Sequence, residues 1–182
     1  MSRSALIIVD VQLGMYNGER IAPIFQGEEK IERISRLLKS AREKGLVVIY
    51  VRHIGGVGHP LEQSTGGFET HPKISPRDDD LIIEKRTPDS FLNTSLKELL
   101  EDQNILNIYV AGNQTDFCID TTCRSAWAKG FNVVLVSDCH STWDSGNLHA
   151  SQIIDHHNSI LGDGFVQAIS SNQITFTEFG GS

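Results

Sequence analysis

Cysteine, proline and tryptophan are scarce in this 182-residue chain, with three, five and two copies, and no apolar run is long enough to span a bilayer. No membrane is therefore expected as a partner. The cysteines, Cys118, Cys123 and Cys139, are too few and odd in number for a disulfide framework, which makes a reducing cytoplasm the simplest setting. A basic excess is missing too. Lys+Arg 16 against Asp+Glu 23 leaves a formal charge of −7, which argues against nucleic acid. The opening MSRSALIIVDVQ lacks the basic region, long apolar stretch and cleavage site of a secretion leader.

What remains is an ordinary globular composition and a length that suits one domain over 1–182. Apolar runs of strand length recur at Ala5 to Val11, Leu46 to Val51, Leu81 to Glu84, Leu106 to Gly112, Asn132 to Asp138 and Gln173 to Thr177. Most are continuous rather than alternating, as in strands buried on both faces of a parallel sheet. Helical patterns lie between them. EEKIERISRLLKSAREKG places Ile31, Ile34, Leu37, Leu38 and Ala41 three and four apart and stops at Lys44 and Gly45. TSLKELLEDQ, CIDTTCRSAWAKG and LHASQIIDHHNSILG follow. The alternation predicts a three-layer α/β/α sandwich around a mostly parallel sheet of about six strands, with the first and fourth adjacent. The stretch from about Arg52 to Asp80, rich in glycine with three prolines, reads as a long functional or mobile loop.

Ligands of such folds bind beyond the carboxyl ends of the strands. Asp10, Lys85 and the Gly112 to Cys118 turn all fall there. Cys118 could be a small buried hydrophobe, a metal ligand or a nucleophile. Thr115 and Asp116 are natural N-cap residues, and a helix begun by them would hold Cys118 in its first turn, where the dipole favours a thiolate.

IIVDVQ (Ile7 to Gln12), EKRTPDSF (Glu84 to Phe91) and VAGNQTDFCID (Val110 to Asp120) resemble, in order and over nearly the whole chain, the three motifs of the isochorismatase-like cysteine hydrolases. That superfamily includes nicotinamidases and N-carbamoylsarcosine amidohydrolase. The resemblance implies an isochorismatase-like fold, a Cys118–Asp10–Lys85 triad and a cis peptide between Asn113 and Gln114. It also implies an oxyanion hole formed by the backbone N–H groups of Gln114 and Cys118, and a homo-oligomer. The chemistry is coherent in itself: a carboxylate beside the thiol takes its proton, and a lysine beside both steadies the charge. The expected reaction is hydrolysis of a C–N bond in a small molecule through a thioester, with no cofactor. Ether hydrolysis of the isochorismatase kind, or a non-catalytic binding role, are the alternatives; Cys118 argues against the first and the full triad against the second.

Nicotinamidases of the superfamily carry an Asp-x-His pair that binds a metal. Here the matching region reads YVRHIGG, with Val51 in place of the aspartate. His53, His59 and His71 are irregularly spaced, so no metal is expected. DHH at Asp155 to His157 reads as a solvated helix face, and AGNQTDFC lacks the ending of a phosphate loop. Met15, Phe91, Phe117 and Trp143 are candidate pocket walls, and Gln12, Asn113 and Thr142 candidate hydrogen-bonding groups. Cys123, about 140° from Cys118 around a helix, should be packing. Cys139 stands just past a strand end, and its role stays open.

Overall fold

The computed structural model describes residues 3–176. Six strands run β1 (Arg3–Val9), β2 (Val47–His53), β3 (Leu81–Lys85), β4 (Ile105–Asn113), β5 (Asn132–Ser141) and β6 (Gln167–Ile169). They form one sheet in the order β3-β2-β1-β4-β5-β6, and every pairing is parallel. Four helices, α1 (Gly27–Glu43), α2 (Leu96–Asp102), α3 (Asp120–Ala128) and α4 (Ala150–Gly164), complete the described α/β domain.

The continuous apolar runs have the cause their pattern suggests. Ala5, Ile7 and Val9 of β1 join one core cluster with residues of α2 and α3, while Leu6 and Ile8 join a second with α1. A strand covered on both faces has no position at which a polar residue is cheap. The apolar positions read from α1 all lie buried in that second cluster. Among the described residues, no helix is long and apolar enough to cross a membrane.

The sixth strand is not where the sequence pattern placed it. It is Gln167–Ile169, while Gln173 ends a 3-10 turn begun at Ser171. Asp138 causes the diversion by accepting the Ser171 N–H at 2.7 Å and the hydroxyls of Ser170 and Ser171 at 3.1 and 2.8 Å. Ile174 and Phe176 still bury apolar surface, Phe176 edge-on to Tyr109 at 4.8 Å, so the alternation records packing without a ladder. Thr177, the last residue of the expected strand, lies outside the described residues.

The long segment after β2 is docked rather than loose. The Gln12 amide donates to the carbonyls of His53 and Phe68 at 3.0 and 2.9 Å and accepts the His53 N–H at 2.8 Å. Leu13 donates to Glu69 and His71 to Val11 along the same seam. Gly67 is required there, because a Cβ on it would lie 2.2 Å from the Pro60 carbonyl oxygen.

Candidate active site

β1 and β4 are neighbours at the centre of the sheet, with Val9 in register with Gly112. The approach is so close that a Cβ on Gly112, whose φ is +129°, would stand 2.0 Å from the Val9 carbonyl oxygen. One residue later, Asp10 leaves the strand at φ +52°, a left-handed conformation disfavoured for a residue with a side chain, and its N–H is held by the Val51 carbonyl at 2.8 Å. β3 contributes Lys85, its last residue. β4 runs into a π-helical turn, Thr115–Ile119, that carries Cys118, with the Asn113–Gln114 peptide cis just before it.

These elements bring the three reactive side chains together. Lys85 Nζ donates to Asp10 Oδ2 at 2.6 Å and to Cys118 Sγ at 3.2 Å, and all three groups are buried. Asp10 Oδ1 is equally buried and has no hydrogen-bond partner. Burial is the largest influence on Asp10 and lifts its pKa, against the opposing pull of Lys85 and the thiol. Burial also works against the Lys85 ammonium, but Asp10 and Cys118 together outweigh it and hold the pKa above the ordinary lysine value. The Cys118 thiol is pushed up to about 12, first by burial and then by the negative charge of Asp10, with Lys85 opposing.

Burial and the neighbouring carboxylate thus oppose the thiolate that a helix N-terminus would favour. One ammonium in a dry pocket supports one anion, and the carboxylate, the stronger acid, takes that place. Burial and the charge of Asp10 therefore favour the thiol form of Cys118. Thr115 and Asp116 also do not cap: the turn is preceded by Gln114 with no side-chain cap. Thr115 instead bonds His140, and Asp116 accepts the Thr142 hydroxyl, so both tie the turn to the end of β5.

The remaining candidates separate. Phe117, next to Cys118 in sequence, is 54% exposed, and the indole N–H of Trp143 donates to the Ala22 carbonyl at 2.7 Å. Met15 is buried. Gln12 is a correction: its amide is fully spent on the docked segment and fully buried, so it offers nothing to a ligand. Phe91 is another, because it stacks at 5.7 Å on Phe131, which precedes β5 at the opposite edge of the sheet. Asn113 is buried and directs its amide N–H groups to the Tyr16 hydroxyl and, at 3.5 Å, to the Asp10 carbonyl. Thr142 is spent on Asp116.

Cys123 is fully buried in the α3-side core, its pKa raised by burial. Cys139 is fully buried as well, on the α1 side. Asp155 and His156 are exposed, as a solvated face requires, and His157 Nδ1 is spent on the Ile153 carbonyl. No group of three or more His, Cys, Asp or Glu among the described residues is placed to hold a metal ion. A surface depression of about 730 Å³ at the amino-terminal edge, lined by Arg3 and residues 101–106, holds none of the reactive groups. Sequence reasoning missed Tyr16, His140 and Asn158. His140 carried a signal, a histidine at the carboxyl end of the fifth strand; Asn158, inside a helical pattern beside DHH, carried none.

Replacing Gln12 by Leu should strand the His53 N–H and the two carbonyls it now satisfies, and at about 1 kcal/mol or more for each lost bond the cost should reach about 3 kcal/mol. Urea denaturation measures it. A change under about 0.5 kcal/mol, the scale of an ordinary surface substitution, would mean the clamp holds nothing.

The isochorismatase domain family model matches residues 4–160. The chain is 32% identical over 181 residues to the uncharacterized isochorismatase family protein YrdC of Bacillus subtilis, covering 94% of each. It is 32% identical over 141 residues to streptothricin hydrolase of Streptomyces noursei, spanning 77% of this chain and 55% of that protein. A crystal structure of an isochorismatase from Pseudomonas putida KT2440 matches with a TM-score of 0.90 at 30% identity, covering 94% of this chain and 90% of that one. With the family model spanning most of its length and the fold of its solved neighbours, the chain belongs to the isochorismatase family of hydrolases.

Proposed function

We propose that this protein hydrolyses a C–N bond of a small molecule, with Cys118 as nucleophile, Asp10 as proton carrier and Lys85 as the fixed counter-charge. The observation that carries the reading is the buried ammonium of Lys85 bridging carboxylate and thiol. Attack begins as the Cys118 proton passes to Asp10, so that the single negative charge moves from oxygen to sulfur while staying beside Lys85. The sulfur adds to the carbonyl carbon, and the oxyanion is received by the backbone N–H groups of Gln114 and Cys118. Asp10, now protonated, gives its proton to the leaving nitrogen as the C–N bond breaks. Water then attacks the thioester with Asp10 as base, and the acid is released.

Proton return to the leaving group is the reason for preferring an amide, a carbamoyl group or a cyclic amide, since a departing amine needs a proton that Asp10 is placed to supply. The relative named streptothricin hydrolase supports hydrolysis as the reaction type. An amidase panel is the test, read by ammonia release for primary amides and carbamoyl compounds and by the gain of one water in mass spectrometry for cyclic amides, with Cys118→Ala as background. Hydrolysis that persists at the wild-type rate in Cys118→Ala would remove the nucleophile.

Metal-free action belongs to the same proposal, since Val51 stands where a metal-binding aspartate would be and the triad supplies nucleophile and counter-charge. Activity should be unchanged after exhaustive chelation. Loss on chelation with recovery on adding zinc or iron would sink this part. On the resemblance alone we place the protein as a homo-oligomer, which light scattering at working concentration decides.

A further inference from the structure

A buried chain of hydrogen bonds runs from the Cys118 turn to α4, and the proposed chemistry makes no use of it. His140, near the end of β5, is fully buried. Its Nδ1 lies 2.8 Å from Thr115 Oγ1 and its Nε2 lies 2.9 Å from Asn158 Oδ1. Asn158 Nδ2 donates to the Ser137 carbonyl at 3.0 Å, which fixes the amide so that its oxygen faces the ring. A carbonyl oxygen can only accept, so His140 Nε2 carries a proton.

The ring is neutral at physiological pH. Burial holds His140 down to about 4; Lys30 of α1, His157 of α4 and Asp138 of β5 are the charged or titratable groups around it. A neutral imidazole protonated on Nε2 has a bare Nδ1, which accepts. The Thr115 hydroxyl therefore donates to it. Every hydrogen in the chain has one direction, which is the condition under which a buried polar network specifies a single geometry.

Thr115 opens the turn that holds Cys118 and follows Gln114 directly. We propose that His140 is a positioning residue of the active site: by accepting the Thr115 hydroxyl proton it fixes the start of the π turn, and with it the Cys118 sulfur and the Gln114 N–H. The proposal rests on the reading of Cys118 as nucleophile. An apolar residue at 140 would leave the Thr115 hydroxyl and the Asn158 amide oxygen without these partners.

Two substitutions divide the ring's functions. In His140→Asn an amide oxygen occupies the place of Nδ1 and still accepts from Thr115, while the bond to Asn158 is lost. His140→Gln keeps a donor near Nε2 and loses the acceptor. The probe is p-nitrophenyl acetate, small enough to acylate a thiol without specific binding, with Cys118→Ala as background and melting temperature as the check on folding. His140→Asn should keep Cys118-dependent release within about threefold of wild type, and His140→Gln should lose about tenfold or more, because sub-ångström misplacement of reacting groups costs factors of that order. Thr115→Ser and Thr115→Val should repeat the contrast. Equal losses in the Asn and Gln variants, following their melting temperatures, would overturn the proposal as a merely structural effect. Histidine ring nitrogen spectra of the 15N-labelled protein, assigned by the loss of a signal in His140→Asn, should show a neutral ring with the proton on Nε2. A cationic ring or a proton on Nδ1 at neutral pH would overturn it equally. Absence of any Cys118-dependent release from the wild type would overturn the reading of Cys118 as nucleophile and the positioning proposal with it, whereas equal losses in an otherwise active series overturn the positioning proposal alone.

Discussion

Asp10→Asn should make Cys118 easier to alkylate and the enzyme nearly inactive, two effects of opposite sign from one atom change. After burial, the charge of Asp10 is the largest influence raising the thiol pKa, and Lys85 is the one that lowers it. Removing the carboxylate charge leaves the ammonium without its anion, and the thiolate becomes the ion that fills the place. Thiolate rather than thiol reacts with iodoacetamide, so labelling at pH 7 should accelerate by up to about tenfold for each unit by which the thiol pKa falls. Turnover should fall by about 10² to 10⁴, since an amide neither takes the thiol proton nor returns one to the leaving nitrogen. Cys123 and Cys139 control for loosening of the fold. Both are fully buried, and their labelling should not change. Slower or unchanged labelling of Cys118 in the variant would show that Asp10 does not hold the sulfur protonated.

Most of the sheet and the placement of the three reactive residues were legible because they depend on local signals. Continuous apolar runs mark strands covered on both faces, and the carboxyl-edge rule turns strand ends into site candidates. What failed was information held by partners far away in sequence. Gln173 to Thr177 has the alternation of a strand, but Asp138 captures the two preceding serines and turns the chain aside. Gln12, two residues after a motif aspartate, has the character of a ligand group in sequence, but the carbonyls of His53 and Phe68 claim its amide. Phe91 looked like a pocket wall, yet it pairs with Phe131 at the other edge.

The resting state of the thiol shows the same limit in electrostatic form. Position at a turn and proximity to a lysine both favour a thiolate, and both are visible in sequence. Burial and the competing carboxylate oppose them, and those require the fold. On the proposed reading of Cys118 as nucleophile, the same competition means that the charge need not be created on attack but is transferred within a site that already holds it.

Lys85→Met should be the most destabilising change at the site. Methionine fills nearly the same volume, so the loss isolates charge from packing. The variant leaves Asp10 buried without its counter-ion, and removing one partner of a buried pair costs about 3–5 kcal/mol. Asp10 will reduce that cost by keeping a proton, since the influence that most lowers its pKa is gone. The sign of the pH dependence follows. A carboxyl whose folded pKa lies above its unfolded value, about 3.9, contributes stability that is fully present below the unfolded pKa and is lost as pH rises through the folded one. The variant should therefore be closest to wild type near pH 4 and fall further behind it toward pH 8 in urea denaturation. Asp10→Asn combined with Lys85→Met removes both charges and should recover much of the deficit, whereas additive single losses would mean the two side chains do not interact. A Lys85→Met protein as stable as wild type at pH 8 would show that the ammonium is not what keeps a charged carboxylate in the core, and the charge-transfer account of the thiol would fall with it.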